Sequence, residues 1–161
     1  MNLLSYITSL FAFIFNLNND NNIINLSNYN YPKPNDPDYI YVPIICTTDI
    51  HGYAFVRKIS NKKNSFHYGG SSLIYSYIKA IRSEYGEKNV LWFDAGDKYQ
   101  GALESTNSNG KIMDDFFNYA KLDLNVLGNH EFDYGMEYLV NMSSSLNSEI
   151  VTTSMYRLYD N

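Results

Sequence analysis

Three short clusters in this 161-residue chain carry side chains suited to holding a metal ion and moving protons beside it. The first is Asp49-Ile50-His51-Gly52. The second is Asp94-Ala95-Gly96-Asp97 with Gln100-Gly101, and the third is Gly128-Asn129-His130-Glu131-Phe132-Asp133. Carboxylate oxygen and imidazole nitrogen suit Zn²⁺, Mn²⁺ or Fe ions, and the clusters offer no soft sulfur. Asp49 and His51 stand two residues apart, so a turn can aim both at one ion. A carboxylate between two ions can bridge them at the roughly 3.5–4 Å spacing of two-metal hydrolytic sites. Asp97, central in the sequence, is the candidate bridge, and Asn129 would be a neutral oxygen ligand. Glycines beside each cluster allow sharp turns and close backbone approach. Taken singly, Asp-x-His and Gly-Asp are ordinary turn signals, and Asn129 could cap a helix. Their joint placement argues for a site.

That placement follows from four short apolar runs, at residues 44–48 (opened by Pro43), 90–93, 124–127 and 150–153. Proline is tolerated at the start of a strand, and uninterrupted runs of this length suit strands buried on both faces. Between them Leu73, Ile74, Tyr77, Ile78 and Ile81 recur at helical spacing and stop at Gly86. Ile112, Met113, Phe116, Phe117 and Ala120 form a second stripe, with Ser108 or Asn109 as its cap, and Met136, Leu139 and Val140 begin a weaker third. Such stripes are core faces. The β-α-β-α-β-α-β alternation predicts an α/β fold, a mostly parallel sheet with flanking helices. In such sheets ligands sit beyond the carboxyl ends of the strands, where each of the three clusters falls.

Composition excludes several other classes. The balance of 12 basic and 17 acidic residues, with no basic block, argues against a nucleic-acid or anionic-membrane partner. The single cysteine, Cys46, excludes an intrachain disulfide framework and a cysteine-built zinc site. Residues 3–15 are apolar and uncharged, too short for the roughly 20 residues of a membrane span but suited to a secretory signal. Asn-x-Ser acceptors at Asn25 and Asn141 fit that route. The nine Asn between positions 16 and 35, with Pro32, Pro34 and Pro37, make a stretch that cannot bury enough apolar surface to order itself. The expected organisation is a signal at 1–16, a disordered linker at 17–38 and a catalytic-domain segment at 39–161.

The blocks Thr48-Asp49-Ile50-His51-Gly52, Gly96-Asp97-Lys98-Tyr99-Gln100-Gly101 and Gly128-Asn129-His130-Glu131-Phe132-Asp133 resemble the calcineurin-like metallophosphoesterases. Within that superfamily they look like the 5′-nucleotidase branch, as does the Gly69-Gly70 pair before the first helix. The protein Ser/Thr phosphatases carry Val-Asp-Arg-Gly after Gly-Asp and Arg before Gly-Asn-His-Glu. This chain has Tyr99-Gln100-Gly101 and Val126-Leu127 there. The resemblance implies two divalent ions (Zn, Mn or similar). Asp49 and His51 would bind the first, Asp97 both and Asn129 the second. It also implies that a hydroxide activated by both ions attacks a small phosphate ester of nucleotide type. His130 would stabilise transition-state charge or help the leaving oxygen depart, and Asp133 would fix its tautomer. Glu131 matches the motif without an assigned role.

The family completes its site with three further histidines, in a Gly-His and a Gly-His-x-His block, and no histidine follows His130 here. His67 reads as an exposed imidazole in a Lys- and Asn-rich loop. The expectation is an incomplete first half of the metallophosphoesterase β-sandwich, inactive alone, its sheet keeping an uncovered edge and an apolar face. The alternative is a non-catalytic remnant that binds a partner or a single ion.

Overall fold

A computed structural model describes residues 42–60, 65–153 and 155. The apolar run at 3–15, the linker at 17–38 and Asn25 lie outside the described residues. The elements are β1 (Ile44–Thr47), β2 (Arg57–Ser60), β3 (Ser65–Tyr68), α1 (Ser71–Tyr85), β4 (Leu91–Asp94), α2 (Leu103–Asn107), α3 (Lys111–Ala120), β5 (Leu124–Asn125), α4 (Met136–Ser145) and β6 (Glu149–Ile150). Four of them form one sheet in the order β1-β4-β5-β6, every pair parallel. The mixed α/β architecture is the expected one. Because the strands run the same way, the loops after β1, β4 and β5 open at a single edge.

The helical stripes pack as cores do. Ile78 and Ile81 of α1, Met113 and Phe117 of α3, and Leu139 and Met142 of α4 join Ile45 and Trp92 of the sheet in one buried cluster. The Trp92 ring is fully buried, 5.8 Å from the Phe116 ring and 5.7 Å from that of Phe117. Its indole N–H donates to Thr47 Oγ1 at 3.1 Å, so the ring is buried without a polar debt. Glycine closes α1 as read: Gly86 takes φ 89° and its N–H donates to the Arg82 carbonyl. The cap of α3 falls instead at Gly110, although the Ser108 hydroxyl accepts from Ile112 N–H at 3.3 Å. In α4 only part of the stripe is covered, since Met136 and Val140 are exposed.

Three expectations need correction. The strands are not buried on both faces: Ile45 and Trp92 face the helices, while Ile44, Cys46, Leu91, Val126 and Val151 are exposed on the other side. The expected uncovered apolar face is therefore present among the described residues. The third and fourth strands are shorter than their apolar runs. Val126 N–H still donates to Asp94 O at 2.9 Å, but its carbonyl accepts from Lys98 Nζ at 3.0 Å, not from a neighbouring strand. Finally, the segment holding His67 is no loop, because β2 and β3 pair as an antiparallel hairpin with His67 opposite Lys58. Arg57 anchors it, donating to both Glu104 carboxylate oxygens at 2.7 and 2.8 Å and lying over the Tyr53 ring at 5.1 Å.

Candidate metal centre

The loop after β1 and the loop after β4 run side by side. Asp49 N–H donates to Gly96 O at 3.0 Å, His51 N–H to Asp97 O at 2.9 Å and Gly52 N–H to Lys98 O at 2.8 Å. This ladder holds Asp49, His51 and Asp97 in the left-handed region, at φ 52°, 50° and 56°. Non-glycine residues rarely adopt it, and it persists where surrounding bonds over-determine the backbone. The turns thereby aim three candidate ligands at one point, where one donor atom from each lies within 4.8 Å of the others.

The donors suit a divalent ion of borderline hardness. His51 Nε2 is 3.7 Å from Asp49 Oδ1, and its Nδ1 lies 2.8 Å from the Gln100 carbonyl. A carbonyl only accepts, so Nδ1 carries the proton and Nε2 keeps its lone pair for the ion. Two carboxylates and one such imidazole fit one ion. For a second ion the clusters add Asp97 again and Asn129, which is exposed in the loop after β5.

Asp97 also belongs to that third loop, because its Oδ1 accepts from His130 N–H at 2.9 Å. Gly128 makes this contact possible: a Cβ there would lie 2.2 Å from Asp97 Oδ1. His130 stands beside the cluster, its ring edge-on to that of His51 with centroids 5.1 Å apart. Its Nδ1 lies 2.7 Å from Asp133 Oδ2, and this hydrogen bond, above all, raises the His130 pKa. All six sequence candidates thus sit at one sheet edge.

Sequence reasoning missed the group that ties the loops together. Glu131 is buried, and its carboxylate accepts from Asp97 N–H at 2.8 Å, Lys98 N–H at 2.7 Å and Gly128 N–H at 2.6 Å. The side chain of Asn129 caps nothing; Glu131 reaches back instead to the backbone three residues before it. That reach resembles half of a capping box, and the Gly-x-x-Glu spacing was its one signal. Beneath it the fully buried Lys98 ammonium sits 3.7 Å from Glu131 Oε1 and 3.9 Å from Asp94 Oδ1. Burial pushes the Asp94 carboxyl up to about 6, against the opposing pull of Lys98 and hydrogen bonds from Thr47 and Gly96.

The calcineurin-like phosphoesterase family profile matches residues 42–156, which include every residue of this centre. The chain belongs to that family. The 5′-nucleotidase of Mus musculus is 37% identical over 100 residues, 60% of this chain and 17% of that protein. The apyrase of Aedes aegypti is 34% identical over 92 residues, 57% of this chain and 16% of that protein. Among solved structures, the NAD nucleotidase of Haemophilus influenzae superposes with a TM-score of 0.61 at 28% identity, over 69% of this chain and 20% of that one. This phosphoesterase chain therefore spans about a fifth or less of the length of each of these three proteins.

Proposed function

We propose that this phosphoesterase segment serves metal-dependent hydrolysis of phosphate esters of nucleotide type, with Asp49, His51, Asp97 and Asn129 as metal ligands. The carrying observation is the convergence of Asp49, His51 and Asp97 within 4.8 Å beside a fixed His51 tautomer. Relatives named 5′-nucleotidase and apyrase support the substrate class. When bound, divalent ions supply a water of lowered pKa and positive charge for the phosphoryl oxygens.

The remaining steps belong to the chain's own side chains. Asp97, held against the third loop by His130 N–H, would be the ligand common to both ions. His130, its Nδ1 engaged by Asp133, presents Nε2 as donor to the phosphoryl or leaving oxygen, and its raised pKa keeps the proton available. Water adds to phosphorus, the ester P–O bond breaks, and the alcohol leaves with a proton. The ligands offered by these residues are few for two ions, so full activity draws on further ligands such as the family's later histidine blocks. A secretory route is part of this reading, supported by the apolar run at 3–15 and the exposed acceptor Asn141. Among the described residues no helix is long and apolar enough to cross a membrane.

The test uses a longer, active form of the protein: Asp97→Asn or His130→Ala should cut phosphate release from a nucleotide by orders of magnitude. Unchanged release would sink the residue assignment. A second reading, a module that binds a single ion without catalysis, is favoured by the three-residue cluster alone. Nucleotide turnover by the 161-residue chain with Mn²⁺ or Zn²⁺ supplied would end it.

A further inference from the structure

We propose that Gln100 and Tyr134 form a strut that sets His51 relative to His130, making both positioning residues of the metal centre. The segment at 100–102 grips His51 from two sides. The Gln100 carbonyl accepts from the ring Nδ1 at 2.8 Å, and Ala102 N–H donates to the His51 carbonyl at 2.8 Å. The space between them is closed to anything larger than glycine, since a Cβ at Gly101 would lie 2.6 Å from His51 O and 2.9 Å from His51 Cβ. The metal-facing imidazole therefore follows wherever Gln100 goes.

The other end of Gln100 is tied to the third loop. Its side-chain Oε1 accepts from Tyr134 O–H at 2.9 Å, and the half-buried Tyr134 ring packs on that of Tyr138 with centroids 4.9 Å apart. Tyr134 immediately follows Asp133, which holds His130 through Nδ1 at 2.7 Å. A continuous line of bonds thus runs from His51 through Gln100, Tyr134 and Asp133 to His130. It joins the two imidazoles, 5.1 Å apart, by a route independent of any ion. The backbone ladder and Glu131 hold the loops to one another; this line adds a path that reaches both imidazole rings. The inference rests on the proposed metal centre for one of its two readouts only.

The first readout needs no metal. The chain has three histidines, so the His51 Nδ1–H signal and the cross-relaxation between the His51 and His130 rings are separable by NMR in the full chain. Tyr134→Phe removes one oxygen and keeps the ring on Tyr138. It should weaken the ring-to-ring cross-peaks, as should Gln100→Ala. The double variant should behave like either single one, because the two residues act as a unit. The second readout is Mn²⁺ affinity, expected to fall about threefold to tenfold in Tyr134→Phe, the range for losing one neutral hydrogen bond. Ring cross-peaks identical in wild type and both variants would overturn the strut whether or not Mn²⁺ binds. Additive effects in the double variant would overturn it too. Cross-peaks that weaken in the variants of a wild-type chain that binds no Mn²⁺ would retain the strut and confine the failure to metal binding by this chain.

Discussion

The carboxyl edge of the sheet and its open face are built from the same strands to opposite standards. At the edge, three loops are locked by backbone bonds, by a carboxylate that accepts three N–H groups and by three residues with left-handed backbone. On the open face Ile44, Leu91, Val126 and Val151 stand 36–44% exposed, and Cys46 with them. The edge is over-determined before any ion arrives, whereas the face has apolar surface without a cover among the described residues. Pre-organisation of the chemistry is thus separable from completion of the fold. Backbone N–H and C=O groups set the positions of the candidate ligands, and these bonds all lie at the edge, away from the open face.

The sharpest way to break this contrast is Glu131→Ala. It leaves three N–H groups without their acceptor and removes one of the two carboxylates beside the buried Lys98 ammonium, which keeps its hydrogen bond to the Val126 carbonyl. Removing one partner of a buried charged network costs about 3–5 kcal/mol, which urea denaturation should read. A loss under about 1 kcal/mol, the usual surface range, would mean that the loops hold without Glu131.

The next effect is a pH dependence. The Asp94 carboxyl is pushed from 3.8 up to about 6 by burial, so the folded chain holds that proton more tightly than the unfolded one. Stability from this group is present at acid pH and is lost as pH rises through that interval. Relative to Asp94→Asn, the wild type should lose up to about 3 kcal/mol between about pH 4 and 6, from 1.36 kcal/mol per unit. Parallel pH profiles for the two proteins would refute the assignment.

Gly128→Ala sharpens the contrast within the edge itself. The added methyl meets the Asp97 carboxylate and nothing on the open face, so Mn²⁺ affinity should fall on the order of tenfold to a hundredfold, the range for disturbing groups that orient ligands. The smallest effect belongs to the face. Leu91→Thr should change stability by about 0.5 kcal/mol or less and leave Mn²⁺ affinity intact, while lowering binding of a hydrophobic dye. Equal loss of affinity in both variants would mean that edge and face are coupled.

Much of this edge was legible in the sequence, because its candidate ligands directly follow the apolar runs. Asp49, His51 and Asp97 were placed by strand ends alone, and the stripes of α1 and α3 by periodicity. What escaped depends on partners distant in the chain. Glu131 takes two of its three bonds from donors 33 and 34 residues earlier, and the local Gly-x-x-Glu spacing signals only the third, from Gly128. The hairpin of β2 and β3 was read as a loop because its fixing contact, Arg57 to Glu104, spans 47 residues. The runs alone suggested burial on both faces, because an apolar run looks the same whether one face or both are covered; the open face was expected instead from the unmatched later part of the family pattern. Gln100 and Tyr134 each look unremarkable until the loops are side by side.

The unbroken order β1-β4-β5-β6 carries a consequence for biosynthesis. Each strand joins the edge left by the strand before it, so the sheet grows in one direction, in the order in which the ribosome delivers it. Domains form from the amino terminus while synthesis continues at about 5–20 residues per second. Once β5 and the turn at His130–Phe132 have emerged, all three site loops are available to one another. Every donor to the Glu131 carboxylate lies at or before Gly128, so this knot draws its bonds only from residues already made when Glu131 emerges.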